Sequence, residues 1–180
     1  MTQLKFRADR GFVRAYRMIA ALLALLLLAG FAPHAHGAER GSVTNLPLPR
    51  YVSIKSAEVN VRRGPSLTHR VDWVFKRKDM PVEITAEHGH WRRVRDRDGA
   101  GGWVHYSLLS GNRTVIVDQD MLPLLSRPEQ NAPASAQLEQ GVVARLDSCN
   151  TEWCRLSAGG YRGWAPKKAL WGVKTDEVLD

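Results

Sequence analysis

Hydrophobic and polar residues alternate over short segments from residue 51 onwards, which is typical of half-buried β-strands. In Pro81–Thr85, Val82 and Ile84 share one face while Glu83 and Thr85 take the other. Turn-forming residues separate the segments, and no sustained 3.6-residue apolar period occurs after residue 37. This pattern predicts an all-β chain with little helix. The predicted strands are Tyr51–Lys55, Val59–Val61, Val71–Phe75, Pro81–Thr85, Trp91–Arg95, Gly101–His105 and Thr114–Val117, then Met121–Leu125, Val142–Asp147, Trp153–Ser157, Tyr161–Ala165 and Ala169–Val173.

The pattern occurs twice, and tryptophans mark the repeat. Trp91 and Trp153 are 62 residues apart, and Trp103 and Trp164 are 61 apart, each of the latter two preceded by glycine. A glycine at that place predicts a strand bend or a close backbone approach. About five short strands in each copy predict two tandem small β-barrels.

The segments outside the repeat divide the rest of the chain. Residues 38–50 contain Pro47 and Pro49 without an apolar period, which indicates a linker or disordered arm. The acidic tail, 176–180, is expected to fray. The predicted domains are therefore a signal peptide at 1–37, a linker at 38–50, and barrels at 51–116 and 117–175.

The first 37 residues have the order of a secretory signal peptide. Basic residues precede an apolar run from Met18 to Phe31, and small residues follow, with a cut expected before Ala38. The apolar run has 14 residues, whereas a membrane-spanning helix needs about 20. We expect a periplasmic or secreted protein without a stable membrane span after cleavage; the alternative is an uncleaved amino-terminal anchor.

Charge is uneven along the chain. The formal charge of +8 falls to +4, from 21 basic and 17 acidic residues, once the predicted signal is removed. Residues 38–117 carry 14 basic and 8 acidic residues, whereas 118–180 carry 7 and 9. A basic first copy outside the cytoplasm favours an anionic envelope polymer or an acidic protein surface as partner over nucleic acid.

Several motifs occur in the same order in both copies. The first has Asn60-Val61-Arg62-Arg63-Gly64-Pro65-Ser66, then Trp91 with Val94, then Gly102-Trp103-Val104; the second has Trp153-Cys154-Arg155, Gly163-Trp164-Ala165 and Leu170-Trp171-Gly172-Val173. This arrangement resembles bacterial SH3 (SH3b) domains of a two-repeat, exported proteobacterial type. The resemblance implies two SH3-like barrels that bind peptidoglycan or envelope proteins, and it implies no chemistry of their own.

Strand parity places two tryptophans among the residues that would contact a ligand. Trp91 and Val94 point to opposite faces of an ideal strand, so a core Val94 leaves Trp91 outside, and Trp153 is placed in the same way. Exposed aromatic rings are suited to stacking on a sugar or a peptide. The predicted ligand-binding residues are Trp91, Arg93, Arg95, Tyr106 and Trp153. Alternatively, each tryptophan only covers a barrel end; Trp103 and Trp164 are interpreted as structural.

Arginine and lysine surround the first tryptophan and predict a basic rim suited to carboxylates or phosphates. The alternative is a solvated charged face. The predicted rim contains Arg92, Arg93, Arg95 and Arg97, with Lys76-Arg77-Lys78 and Arg62-Arg63.

The remaining reactive side chains give no catalytic or metal site. Cys149 and Cys154 form an even pair in an exported chain, which predicts a disulfide that pins the hairpin carrying Trp153. His88 and His90 are two possible ligands, too few for a closed metal site. No catalytic residues, metal or cofactor are predicted.

These observations predict a non-catalytic cell-envelope binding protein that recognises peptidoglycan or its stem peptides. The alternative is an adaptor that binds an extended segment of an envelope protein. A wall-degrading enzyme is disfavoured because the two modules occupy nearly all of the chain. The arginine-rich first copy is expected to be the contact surface, and the second copy, pinned by its cysteines, the brace.

Overall fold

The computed structural model describes residues 39–180, so the predicted signal peptide, 1–37, lies outside the described residues. The described chain is all-β, as expected, and its strands form two seven-stranded antiparallel sheets. The only helical segments in this part of the chain are two short 3-10 turns, Tyr106–Leu108 and Lys167–Ala169. No helix among residues 39–180 is both long and apolar enough to cross a bilayer.

The first barrel contains seven strands in the spatial order β3-β2-β6-β5-β4-β1-β7. Their bounds are β1 Arg50–Ile54, β2 Val59–Arg62, β3 Val71–Phe75, β4 Pro81–His88, β5 Trp91–Arg95, β6 Gly101–His105 and β7 Leu109–Ser110.

The second barrel has the equivalent order, β10-β9-β13-β12-β11-β8-β14, so the predicted repeat is confirmed strand by strand. Its first strand begins at Thr114, before the predicted domain boundary at 116/117, because that strand pairs with β11 and β14. The strand bounds are β8 Thr114–Val117, β9 Leu122–Leu125, β10 Ala134–Leu138, β11 Val143–Cys149, β12 Trp153–Ala158, β13 Tyr161–Pro166 and β14 Leu170–Trp171.

Each barrel encloses its own apolar core, built from the inward positions of the alternating strands. The first core includes Val82, Ile84 and Val94, all 2% exposed or less, and the second is centred on Leu124 and Leu156. β10 was not predicted, because the proline-rich sequence before it indicated a loop; it pairs with β9 through a register shift.

The glycines that precede Trp103 and Trp164 permit a close backbone approach, as expected. At Gly102, with φ +156°, a Cβ would lie 2.6 Å from the carbonyl oxygen of Arg62. At Gly163, a Cβ would lie 2.9 Å from the backbone of Leu124. A side chain at either place would collide with the neighbouring strand.

The segment interpreted as a linker or disordered arm is ordered instead. Gly41 donates a backbone hydrogen bond to Leu46, and Arg40 forms a β-bridge with Pro47. The turn between them is held by the Glu87 carboxylate, which accepts hydrogen bonds from backbone groups of this segment. Sequence composition did not reveal this order because the partner is about 40 residues away.

The acidic tail was expected to fray, but it is ordered instead. Leu179 and Cys149 exchange backbone hydrogen bonds of 2.7 and 3.0 Å, and Glu177 forms an ion pair with Arg113. The tail is therefore fixed to the second barrel.

The two barrels contact each other directly. Thr114 Oγ1 donates a 2.7 Å hydrogen bond to the carbonyl oxygen of Asp79. The rings of Tyr51 and Trp171 meet edge to face, with centroids 5.3 Å apart. The junction is therefore held by a hydrogen bond and by an aromatic contact, each of which joins a residue of the first barrel to a residue of the second.

Candidate binding surfaces

The outer face of β4, β5 and β6 brings several predicted ligand-binding residues together. Trp91, Arg93 and Arg95 alternate outwards on β5, while Arg92 and Val94 point inwards and are buried. Trp91 is thus outside the core, as parity predicts, although it is partly covered. Arg93 lies opposite Trp103 of β6, and Trp91 lies opposite His105.

Aromatic and histidine rings cover the end of this face. Trp91 meets His105 edge to face at 5.6 Å between centroids, and Tyr106, half exposed, lies 5.0 Å from His105. His90 also approaches Tyr106, at 5.6 Å. We call this surface the tryptophan face; it consists of His88, His90, Trp91, Arg93, Trp103, His105 and Tyr106.

The two outward arginines differ in their pairing. Arg95 forms an ion pair with the largely buried carboxylate of Glu83, which raises the pKa of the guanidinium. The side chain of exposed Arg93 makes no hydrogen bond or ion pair within residues 39–180. Both line a depression of about 260 Å³. Arg93 is therefore the more available cation for a ligand.

The predicted basic rim is only partly present. The prediction that Arg92 belongs to the rim is wrong. Arg92 is only 7% exposed, and its guanidinium donates hydrogen bonds to the carbonyl oxygens of Gly89 and Trp91. Arg97 pairs with Asp118 at 2.8 Å, which neutralises a second member of the rim. Alternation along β5 places Arg92 inwards, a consequence that a count of basic residues does not capture.

Beneath the tryptophan face, the Glu87 carboxylate binds the amino-terminal segment. It accepts hydrogen bonds from the amides of Val43 and Thr44, from Thr44 Oγ1 at 2.7 Å and from Arg50 at 2.6 Å. Arg92 Nε lies 3.5 Å away. Burial disfavours the charged form, but these hydrogen bonds outweigh it and lower the pKa of Glu87 to about 2.

In the second barrel, Trp153 lies beside a groove of about 410 Å³. Trp153 pairs with Pro166 of β13, and Lys168 also contributes to the lining. We call it the Trp153 groove; its walls are Gln130, Thr151, Glu152, Trp153, Pro166, Lys167, Lys168 and Thr175. Trp153 and Trp91 thus lie on different barrels, and the structure does not bring them into one contact surface.

The predicted disulfide between Cys149 and Cys154 is confirmed. It joins β11 to β12 at a directly opposed pair, and Asn150 Oδ1 accepts hydrogen bonds from the amides of Glu152 and Trp153 in the turn. The disulfide therefore braces the hairpin next to Trp153. A disulfide is also typical of a protein from an oxidising compartment.

The equivalent pair in the first barrel is Glu87 and Arg92. Each pair lies next to the hairpin end, where His88 pairs with Trp91 in the first barrel and Asn150 donates a backbone hydrogen bond to Trp153 in the second. Each also follows a register shift between the equivalent two strands. A buried ion pair in one copy thus occupies the place of the disulfide in the other. Aligning the two copies on Trp91 and Trp153 puts Glu87 over Cys149 and Arg92 over Cys154, which is the signal in the sequence for this equivalence.

Sequence reasoning missed several members of the tryptophan face. Trp103 was interpreted as structural, yet it lies on the outer face, partly covered, with His88 at 6.5 Å between ring centroids. His105 was not considered, although its place opposite Trp91 follows from the hairpin register. In the part of the chain that the structure describes, no three potential metal ligands come together.

A tandem of two small β-barrels with equivalent strand order, each presenting a tryptophan beside its bracing pair, defines a protein built from repeated small modules. A family model described as "Bacterial SH3 domain" matches residues 55–111 and 118–172, and the chain belongs to this family. The predicted recognition and fold class are thus confirmed.

Two solved structures from Trichomonas vaginalis, NlpC2 and NlpC1, are similar to the chain at 15% and 14% sequence identity, each with a TM-score of 0.32. The similarity covers 68% and 77% of this chain and 48% and 51% of theirs. The chain therefore spans about half the length of these two structures. No curated protein sequence matches it significantly.

Proposed function

We propose that the chain is a non-catalytic cell-envelope binding protein whose tryptophan face recognises peptidoglycan or its stem peptides. One observation carries the proposal: partly exposed aromatic rings and an exposed, unpaired arginine share one face of three adjacent strands within the described chain. Trp91 and Tyr106 provide flat apolar surface for stacking on a sugar or peptide. The fork of Arg93 is suited to a carboxylate, which stem peptides carry.

The periplasm or the extracellular space is the proposed location. The disulfide supports it, because such bonds persist in oxidising compartments. Arg93 of the tryptophan face would there meet the anionic groups of the wall rather than nucleic acid.

Co-sedimentation of the full chain with purified peptidoglycan tests the proposal. We expect Trp91→Ala to weaken binding about tenfold, the effect of losing about 1.4 kcal/mol from a central aromatic contact. Tyr161→Ala is the control, because Tyr161 is an exposed aromatic residue, 56% exposed, that lies on the second barrel and outside the tryptophan face. Equal binding by wild type and Trp91→Ala would remove Trp91 from the site.

Two further measurements, the salt dependence of binding and the release of soluble wall fragments, distinguish this function from the alternatives. Binding through Arg93 should weaken as added salt screens the guanidinium. Release of soluble fragments from the wall by the pure protein would contradict the non-catalytic assignment.

The second candidate is an adaptor that binds an extended segment of an envelope protein in the Trp153 groove. The apolar walls of Trp153 and Pro166 favour it, since such a groove accommodates extended peptide. Retrieval of one stoichiometric protein partner that is lost in Trp153→Ala, without wall binding, would favour this candidate over peptidoglycan.

A further inference from the structure

A groove of about 640 Å³ is lined by residues of both barrels, none of which belongs to the tryptophan face or the Trp153 groove. We call it the junction groove. Its lining comes from both copies and from the connection between them: Lys55, Lys78, Asp79 and Ser110 of the first barrel, Asn112 of the connection, and Thr114, Val143, Arg145 and Ser157 of the second.

The second barrel contributes a row of side chains on its outer face. Arg145 of β11 lies directly opposite Thr114 on one side and Ser157 on the other, so all three point away from the core. The first barrel covers one end of this row, where Thr114 Oγ1 donates to the Asp79 carbonyl oxygen. Because the same contact joins the barrels, the groove is part of the fixed junction.

The charge of the lining is positive and largely uncompensated. Lys55 and Lys78 are exposed and form no ion pair within residues 39–180, and Asp79 is the only acid in the lining. Arg145 Nε pairs with Asp147 at 3.1 Å, and its terminal nitrogens donate no hydrogen bond within the described chain. Within the described chain, the lining thus has two unpaired lysines, and Arg145 already paired with Asp147, against the one carboxylate of Asp79.

The groove has room for more than a single small anion. A second cavity of about 390 Å³ adjoins it and shares Asn112 and Arg145. Together the cavities reach the upper end of the range of about 300–1,000 Å³ that is typical of ligand sites. The combined volume and the charge thus suit an anionic segment of several residues.

We infer that the junction groove binds an extended acidic peptide segment, with carboxylates on Lys55, Lys78 and Arg145. No aromatic ring lines either cavity to stack on a sugar, whereas Ser110 and Asn112 offer hydrogen bonds to a peptide backbone. The site uses elements other than the tryptophan face, so it stands independently of the proposed peptidoglycan function.

Titration of the ¹⁵N-labelled full chain with hexaglutamate tests the inference by NMR. We expect amide shifts to change at Ser110, Asn112 and Val143. The double variant Lys55→Glu/Lys78→Glu should bind about tenfold more weakly, as expected for the loss of two partly exposed ion pairs. Both lysines are exposed, so a dispersed spectrum should be retained.

A charge-matched control separates a site from general attraction. Lys76→Glu/Arg127→Glu changes the net charge equally at exposed positions outside the groove, and it should bind as the wild type does. Equal weakening in both double variants, or no shifts at the groove, would overturn the site. Tighter binding of an oligogalacturonate to the same residues would overturn the peptide assignment.

One further variant separates this inference from the proposed function. Trp91→Ala should leave hexaglutamate binding unchanged while it weakens peptidoglycan binding. If instead hexaglutamate binding is lost with Trp91, the acidic segment binds the tryptophan face and the junction groove is not the site.

Discussion

Replacing Glu87 by glutamine should reveal how much one buried carboxylate contributes to the first barrel. The carboxylate binds Val43, Thr44 and Arg50 and holds the pKa of Glu87 at about 2, against an ordinary value of 4.5. Each pKa unit corresponds to about 1.4 kcal/mol, so the ionised form contributes about 3 kcal/mol to the free energy of unfolding. We expect Glu87→Gln to lose this contribution at pH 7.

The pH dependence gives the sign of the effect. Because the pKa of Glu87 is lower in the folded state, its contribution is complete above about pH 5 and disappears as the pH falls towards 2. Urea unfolding, followed by tryptophan fluorescence at intervals between pH 7 and pH 2, measures it. The wild type should lose about 3 kcal/mol more than Glu87→Gln over the interval from pH 5 to pH 2.

Glu58→Gln is the matched control, since Glu58 is exposed and makes no hydrogen bond or ion pair in the described chain. It should follow the wild type at every pH. Parallel stability curves for the wild type and Glu87→Gln would refute the reasoning. A second readout, amide hydrogen exchange at Val43 and Thr44, should become faster in Glu87→Gln because their acceptor is weakened.

Two further predictions concern backbone constraints. Reducing the disulfide of Cys149 and Cys154 should lower the unfolding free energy by about 2 kcal/mol, which is the loop-entropy effect of closing a short loop. Urea unfolding with and without reductant measures this change, and an unchanged midpoint would contradict the prediction. Gly102→Ala should destabilise the first barrel by about 2 kcal/mol or more, because the new Cβ would meet the neighbouring backbone at a residue with positive φ. Gly111 has open space around it, so Gly111→Ala should change the stability by less than about 0.5 kcal/mol. Similar thermal midpoints for the two alanine variants would show that the close approach at Gly102 is not limiting.

Local periodicity predicted most of the fold, because strand alternation is a property of neighbouring residues. The outward position of Trp91 followed from the inward position of Val94, and the glycine before Trp103 correctly indicated a close approach. The same rule, applied fully, places Arg92 inwards; the prediction of a basic rim counted charge without applying parity.

The features that the sequence did not reveal depend on contacts between residues that are far apart in the chain. The order of the amino-terminal segment rests on Glu87, and the order of the tail rests on Cys149 and Arg113. Proline and acidic composition describe the segment alone and contain no information about its partner. The junction groove was missed for the same reason, since Lys78 and Arg145 are far apart in the chain and meet only when two barrels pack.

The structure also changes the expected contrast between a first copy that is the contact surface and a second copy that is the brace. The first hairpin is braced as well, because Glu87 and Arg92 form a cross-strand pair at the place that Cys149 and Cys154 occupy in the second. In each barrel the first member of the pair also binds a terminal segment, through side-chain oxygens at Glu87 and through the backbone at Cys149. Both copies thus brace the strand that carries the outer tryptophan. The ion pair can be released by acid and the disulfide by reductant, so the two hairpins should loosen under different conditions.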